Sequence, residues 1–167
     1  MPSSRRIAAR EPWHRFGSVW IFTLLRFVPL LVLLNLAWEA AQLPLYTIWY
    51  KAAWANIAYA VVHCTAGEVL IGLFALFMML IVTRAGPIGA WRTVHVAAGM
   101  TALSVSYTVF SEWMNTVVHA NWAYSSLMPL MPVLGTGLSP LLQWVIVPSL
   151  ALYVALRMNR ALAPKSN

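Results

Sequence analysis

Four long apolar stretches, separated by short joins, dominate the pattern of hydrophobic and polar positions along the chain. A helix that crosses a bilayer needs roughly 20 residues at about 1.5 Å rise each. The stretches at about 19–42, 57–83, 91–114 and 139–158 meet that length. They predict an all-α, polytopic membrane protein with four transmembrane helices in one bundle. The transmembrane domain would run over 19–158, between a basic tail at 1–18 and a short tail at 159–167. Pro29 and Pro148 fall inside the first and fourth stretches, so bends are expected there. The join "TRAGPIGAWR" between the second and third carries clear helix breakers.

Polar residues interrupt this apolar ground at helical spacing. In "NLAWEAAQLPLY", Asn35, Glu39 and Gln42 are spaced i, i+4, i+7 and share one helix face. Thr101, Ser104, Thr108, Glu112, Asn115 and His119 step by three or four and form a stripe along the third helix. The second helix carries His63 and Glu68, five apart, which point in neighbouring directions. The fourth offers Gln143 about one turn in. The chain has four acids, Glu11, Glu39, Glu68 and Glu112, and the last three fall one to a helix, in the same half of the bilayer.

A carboxyl in hydrocarbon needs a partner, water or a task, and a polar stripe must face protein or a wet cavity. The bundle is therefore expected to enclose a polar pocket in its outer half. Around it would stand Asn35, Glu39, Gln42, His63, Glu68, Glu112, Asn115, His119 and Gln143, with Trp38, Trp113 and Trp144 as aromatic lining. Asn, Gln, Ser and Thr serve well as glue between helices. Three carboxyls fit that role poorly, because a neutral side chain would do it at lower cost.

Composition sharpens the class. Hydrophobic residues make up 61% of the 167 and charged ones 9%, which excludes a soluble domain. The net charge of +7 does not imply nucleic acid, because the basic residues sit at segment ends. Arg5, Arg6, Arg10, Arg15, Arg84, Arg92, Arg157, Arg160 and Lys165 fall on one side of a four-span topology, and only Lys51 on the other. Arg26, in the near half of the first span, would snorkel back to the basic side. The asymmetry predicts both termini in the cytoplasm, in the inner (plasma) membrane of a bacterium. The basic start runs straight into the first apolar stretch, which reads as a retained span rather than a cleaved signal. Cys64 is the single cysteine, so no intramolecular disulfide forms. The segments "TIWYKAAWANIAY" and "NWAYSSLMPLMPVLGTGLSP" are nearly uncharged, so they should lie in the interface or fold back over the bundle, as a lid or a static cover.

No nucleophile motif, phosphate loop or nucleotide fingerprint is present, and no cofactor is expected. Three readings of the pocket stay open. In the first it is an acid–base site, with Glu68, Glu39, Glu112 and His63 moving protons on an apolar lipid, isoprenoid or sterol-like molecule. Aromatic rings would steady a cation formed on the way. In the second it binds metal, since three Glu and two His match a ligand inventory, although ExxH and HxxxH spacings are missing. In the third the protein is a lipid-binding module, a homodimer or an accessory subunit of a larger membrane complex. A bis-histidine haem is disfavoured, because His63 and His95 lie at opposite ends of their helices.

Three short motifs resemble the emopamil-binding protein (sterol isomerase) and sigma-2 receptor family of four-helix membrane proteins. Asn35, Glu39 and the following "LPLYTIWY" are similar to that family's first motif, a polar residue, three more, a glutamate and an aromatic run. Glu68 resembles its second-helix glutamate. "LLQWVIVP", with Gln143, Trp144 and Pro148, resembles its last-helix amide, tryptophan and proline. The likeness extends over about residues 30–155. The family's leading histidine is Asn35 here, and the amide–tryptophan spacing differs. The resemblance implies a four-helix membrane bundle and proton-shifting chemistry on an apolar substrate.

Overall fold

The computed structural model describes residues 11–162. Arg5, Arg6, Arg10 and Lys165 of the expected basic set lie outside the described residues. Four helices are long and apolar enough to cross a membrane: α1 Gly17–Leu45, α2 Trp54–Val82, α3 Thr93–Val118 and α4 Leu138–Ala161. The protein is an all-α four-helix membrane bundle. The helices end within a few residues of where hydropathy placed them. Most overrun the apolar stretch, because the backbone keeps its internal hydrogen bonds into the interface.

Each helix packs on the next, and α4 returns to α1, so the four form an up-and-down ring. α1 is not uniform. Thr23–Phe27 widens into a π turn just before Pro29. Pro29 has no N–H for the carbonyl one turn back, and the widened turn absorbs that missing bond. Arg26 sits in this turn and donates to Asn159 Oδ1 on α4. The expected snorkelling is thus replaced by a fixed partner at the same end of the bundle. α4 runs as one helix through Pro148.

The half of the bundle nearer the termini is an apolar core. Phe22, Phe27 and Leu31 of α1, Leu76 and Leu80 of α2, Val96 and Met100 of α3, and Ala151, Leu152 and Ala155 of α4 are fully or almost fully buried. Small residues set the approach: a Cβ on Gly72 would meet Leu31 Cδ2 at 2.7 Å. The Trp13 N–H donates to the Ala85 carbonyl at 3.0 Å, and the Trp13 ring stacks on Phe77 at 5.1 Å. Trp13 and the α2–α3 turn therefore share one end, and Arg15, Arg84, Arg92, Arg157 and Arg160 gather there.

At the opposite end the α3–α4 connection folds back over the bundle. Thr47 N–H donates to Ala123 O at 2.9 Å, and Ser125 N–H to Leu45 O at 2.9 Å. Ser125 Oγ adds a bond to Pro44 O at 2.8 Å. Gly135, at φ +63°, makes the return turn, where an L side chain would be strained. Main-chain bonding of this kind gives an uncharged loop a reason to sit where it does, since its backbone groups are satisfied against the bundle.

Candidate functional site

The polar half is built around one amide. Gln143 of α4 points to the bundle axis and is 1% exposed. Its Nε2 donates to Glu68 Oε1 on α2 at 2.6 Å, to Asn35 Oδ1 on α1 at 3.1 Å and to Glu39 Oε1 at 3.3 Å. A single nitrogen thus draws residues of three helices together across the ring. The Glu39 and Glu68 carboxyls also lie within hydrogen-bonding reach of each other.

A second amide continues the network toward the capped end. Gln42 Nε2 donates to Glu39 Oε1 at 2.6 Å and to Gln143 Oε1 at 3.4 Å. Its Oε1 accepts from Ser139 Oγ at 2.8 Å, and Ser139 accepts from Trp38 Nε1 at 3.2 Å. The i, i+4, i+7 stripe of α1 is therefore wholly buried, as Asn35, Glu39 and Gln42. Glu68 is the midpoint of α2, yet it meets Gln143 little more than a turn inside α4. α2 therefore extends farther toward the capped end than α4 does, and Glu68 lies level with Gln143.

Glu112 of α3 has a separate set of partners, all from the cap. Tyr124 Oη donates to Glu112 Oε2, and Trp122 Nε1 approaches the same oxygen at 3.5 Å. Tyr124 Oη also accepts from the Gly137 N–H at 2.9 Å. One phenol so ties α3 to the start of α4. Burial, then the bond to Glu112, holds the Tyr124 phenol above its usual range. Burial, with Glu112 nearby, does the same to Tyr46, which packs on Tyr124 at 5.6 Å.

Some buried polar atoms lack partners. Asn35 Nδ2 and Glu68 Oε2 in the amide network receive and give no bond to protein N–H or carbonyl groups, and Thr65 Oγ1 and Ser104 Oγ are likewise alone. Such atoms are costly in lipid and suit a ligand or water. A cavity of about 320 Å³ opens between α2 and α3, lined by Leu70, Ile71, Phe74, Ala75, Leu103, Ser104 and Tyr107. Ser104 is on its wall, and none of Asn35, Glu39, Glu68 or Gln143 lines it.

Four expected pocket residues are elsewhere. His63 is exposed on the outer face of α2, stacked on Tyr59 at 5.5 Å. Five residues turn a helix by about 140°, so His63 cannot share the face of Glu68. Trp113 is 50% exposed and packs beside Phe110, one residue round from the buried Glu112. Asn115 donates to Ser111 O at 2.8 Å and accepts from Asn121, closing its own helix end. His119 is exposed at the same end. The stripe of α3 is buried at Ser104, Thr108 and Glu112. It stops there because Met114–Val118 form a π turn, which breaks the three-and-four step. Trp144 is buried, and Trp38 is half-buried.

The sequence pattern did not single out Tyr124 or Ser139. Ser139 meets residues about a hundred positions away and Tyr124 reaches across a loop, and neither lies on a periodic stripe. With His63 and His119 turned outward, the metal reading loses its nitrogen donors. Among the described residues no three His, Cys, Asp or Glu side chains come together as a ligand set. No family model matches the chain, and no curated protein or solved structure does either.

Proposed function

We propose that the amide-centred carboxyl pair takes the polar or unsaturated part of a lipid-, isoprenoid- or sterol-like molecule and moves protons on it, in an isomerase- or cyclase-type reaction. The observation that carries this is the convergence of Glu39 and Glu68 on one Gln143 nitrogen, with Glu68 Oε2 and Asn35 Nδ2 buried and unpaired. Two carboxyls held against each other share a proton, which suits a site that gives one and takes one back. In an isomerisation Glu68 donates to one carbon of a double bond. The positive charge forms on the other carbon of that double bond, and Glu39 takes a proton from the next carbon beyond it, so the double bond shifts by one position. Return of the proton from Glu39 to Glu68 restores the pair. The cap stitched over this end opposes entry from water and so supports entry from the lipid side. The short motifs around Asn35, Glu39, Glu68 and Gln143 that resemble the sterol isomerase family support the same chemistry.

The competing reading is a non-catalytic one, as a lipid-binding or accessory subunit. It is favoured by the way these side chains already satisfy one another, as interhelical glue does. Glu68→Gln separates the two. It keeps the shape and a donor but has no carboxyl proton to give. If the site is catalytic, turnover of an extracted membrane-lipid pool by the purified protein stops while the fold and retained lipid persist. Full turnover in the variant would sink the donor role. Mass spectrometry of gently extracted protein should also find an apolar molecule at about one per chain, absent from a Gln143→Leu variant.

We place the protein in a bacterial inner membrane with both termini in the cytoplasm. The basic residues gathered at the end that holds the termini support this. A reporter active only in the cytoplasm should work at the C-terminus and fail at Gly135; the same activity at both sites would overturn the orientation.

A further inference from the structure

We propose that the groove between α3 and α4 at the basic end is a binding site for an anionic glycerophospholipid, one acyl chain in the groove and the phosphate on Arg157 and Arg160. The site lies away from the carboxyl network and does not depend on what that network does.

The groove is a cavity of about 640 Å³. Its walls are α3 from Thr93 to Thr101 and α4 from Ser149 to Arg160. At about 1.5 Å per residue these walls are about 12 and 16 Å long. Half of a typical hydrocarbon core is about 15 Å, so the groove has the length of one leaflet. Its inner end closes where Thr101 Oγ and Ser149 Oγ come within 3.5 Å of each other. Between the ends the surface is small and apolar, including Ala97 and Ala98.

Charge chooses the occupant at the mouth. Arg157 and Arg160 are three apart, on one face of α4, and both are exposed. The Arg157 Nε donates to Tyr153 Oη at 3.0 Å, and its guanidinium carbon stands 5.4 Å from the Tyr153 ring centroid. This holds the fork by its inner nitrogen and ring face, and leaves the two terminal nitrogens to bind an anion. A guanidinium fork matches phosphate oxygens in pairs. The acids Glu39, Glu68 and Glu112 belong to the other half of the bundle, and Glu11, the acid at the basic end, forms no ion pair with these arginines among the described residues. A free phosphate would leave the apolar groove unused. A helix from a second copy would have to bury two arginines without partners. A lipid with a negative head and an apolar tail satisfies both ends.

Protein in neutral detergent, mixed with equal phosphatidylglycerol and phosphatidylcholine and read by native mass spectrometry, tests this. One retained lipid per chain is expected, with phosphatidylglycerol over phosphatidylcholine by roughly tenfold, since each basic residue near the headgroups adds a several-fold preference. Arg157→Gln with Arg160→Gln should bring the ratio to about one. Ala98→Phe, which fills the groove from an exposed position, should lower retention of both lipids. Equal retention by the unaltered protein overturns the proposal, and so does an unchanged preference in the double glutamine variant. Displacement of phosphatidylglycerol by millimolar inorganic phosphate would reduce the site to an anion site and overturn the acyl part. A mass of two chains without lipid would give the groove to a second copy instead.

Discussion

The two halves of this bundle are held by different means. Near the termini, Phe22, Phe27, Leu31, Leu76, Leu80 and Leu152 fill the space between helices and no hydrogen bond is required of them. Near the cap, Asn35, Glu39, Gln42, Glu68 and Gln143 meet through directed bonds. In water the first half would be driven together by the hydrophobic effect. In lipid it is not, because acyl chains are as apolar as leucine. Apart from the Arg26–Asn159 and Trp13–Ala85 bonds at its end, the apolar half then depends on shape, while the polar half depends on which atom donates to which. A shape-conserving change should be tolerated in the first and not in the second.

The largest expected effect is Gln143→Leu, which conserves shape fairly well. It removes the bonds to α1 and α2 and leaves the Glu68 carboxyl and the Asn35 amide without their amide partner, at about 3 kcal/mol. Thermal unfolding in detergent should show it, and an unchanged midpoint would mean the amide is no hub. Next comes Leu76→Ala, which opens a cavity in the apolar half. About 2 kcal/mol is expected, at the low end for buried leucines because the removed atoms lose packing rather than gain water. Leu76→Met should cost under about 1 kcal/mol, and an equal loss from both would deny that this half is held by shape. Tyr124→Phe removes the phenol's bond to Glu112 and leaves only the longer Trp122 contact between cap and carboxyl, for about 1 kcal/mol. Faster amide exchange at Gly137 and through the α3–α4 loop, with α1 and α2 unaffected, would mark it as local.

The smallest effect is one of pH. The folded Tyr124 phenol is held above its ordinary value, so only the unfolded chain ionises readily near pH 10. Its stabilising share is complete below that pH and falls as pH rises beyond it. Thermal midpoints should therefore drop above about pH 10, and less so in Tyr124→Phe.

Much of this arrangement was legible in the residue order. Lipid demands about 20 apolar residues per crossing, so the spans announce themselves. The stripe Asn35, Glu39 and Gln42 was readable for a similar reason: α1 is regular there, and spacing translates directly into direction. His63 shows the limit of that method, since a five-residue step turns a side chain away from its neighbour. Asn115 and His119 show another, because a π turn reset the phase after Glu112 and nothing in the local residue types foretold it. Tyr124 and Ser139 could not be found by periodicity at all. Ser139 meets Gln42 from 97 residues away, and such pairs follow from tertiary packing alone.

The apolar floor beneath the carboxyls has an electrical consequence. From Leu31 to Phe22 on α1, and across Leu76, Leu80, Val96 and Leu152, the buried side chains lining that floor are almost all hydrocarbon. A proton at Glu39 or Glu68 finds few oxygens on which to hop toward the basic end. Carrying a charge over that barrier against a voltage of about 100 mV would add a part of the about 2.3 kcal/mol that a full crossing costs. The acids are thus insulated from the basic end of the bundle. Whatever they do should run at the same rate in an energised vesicle and a leaky one.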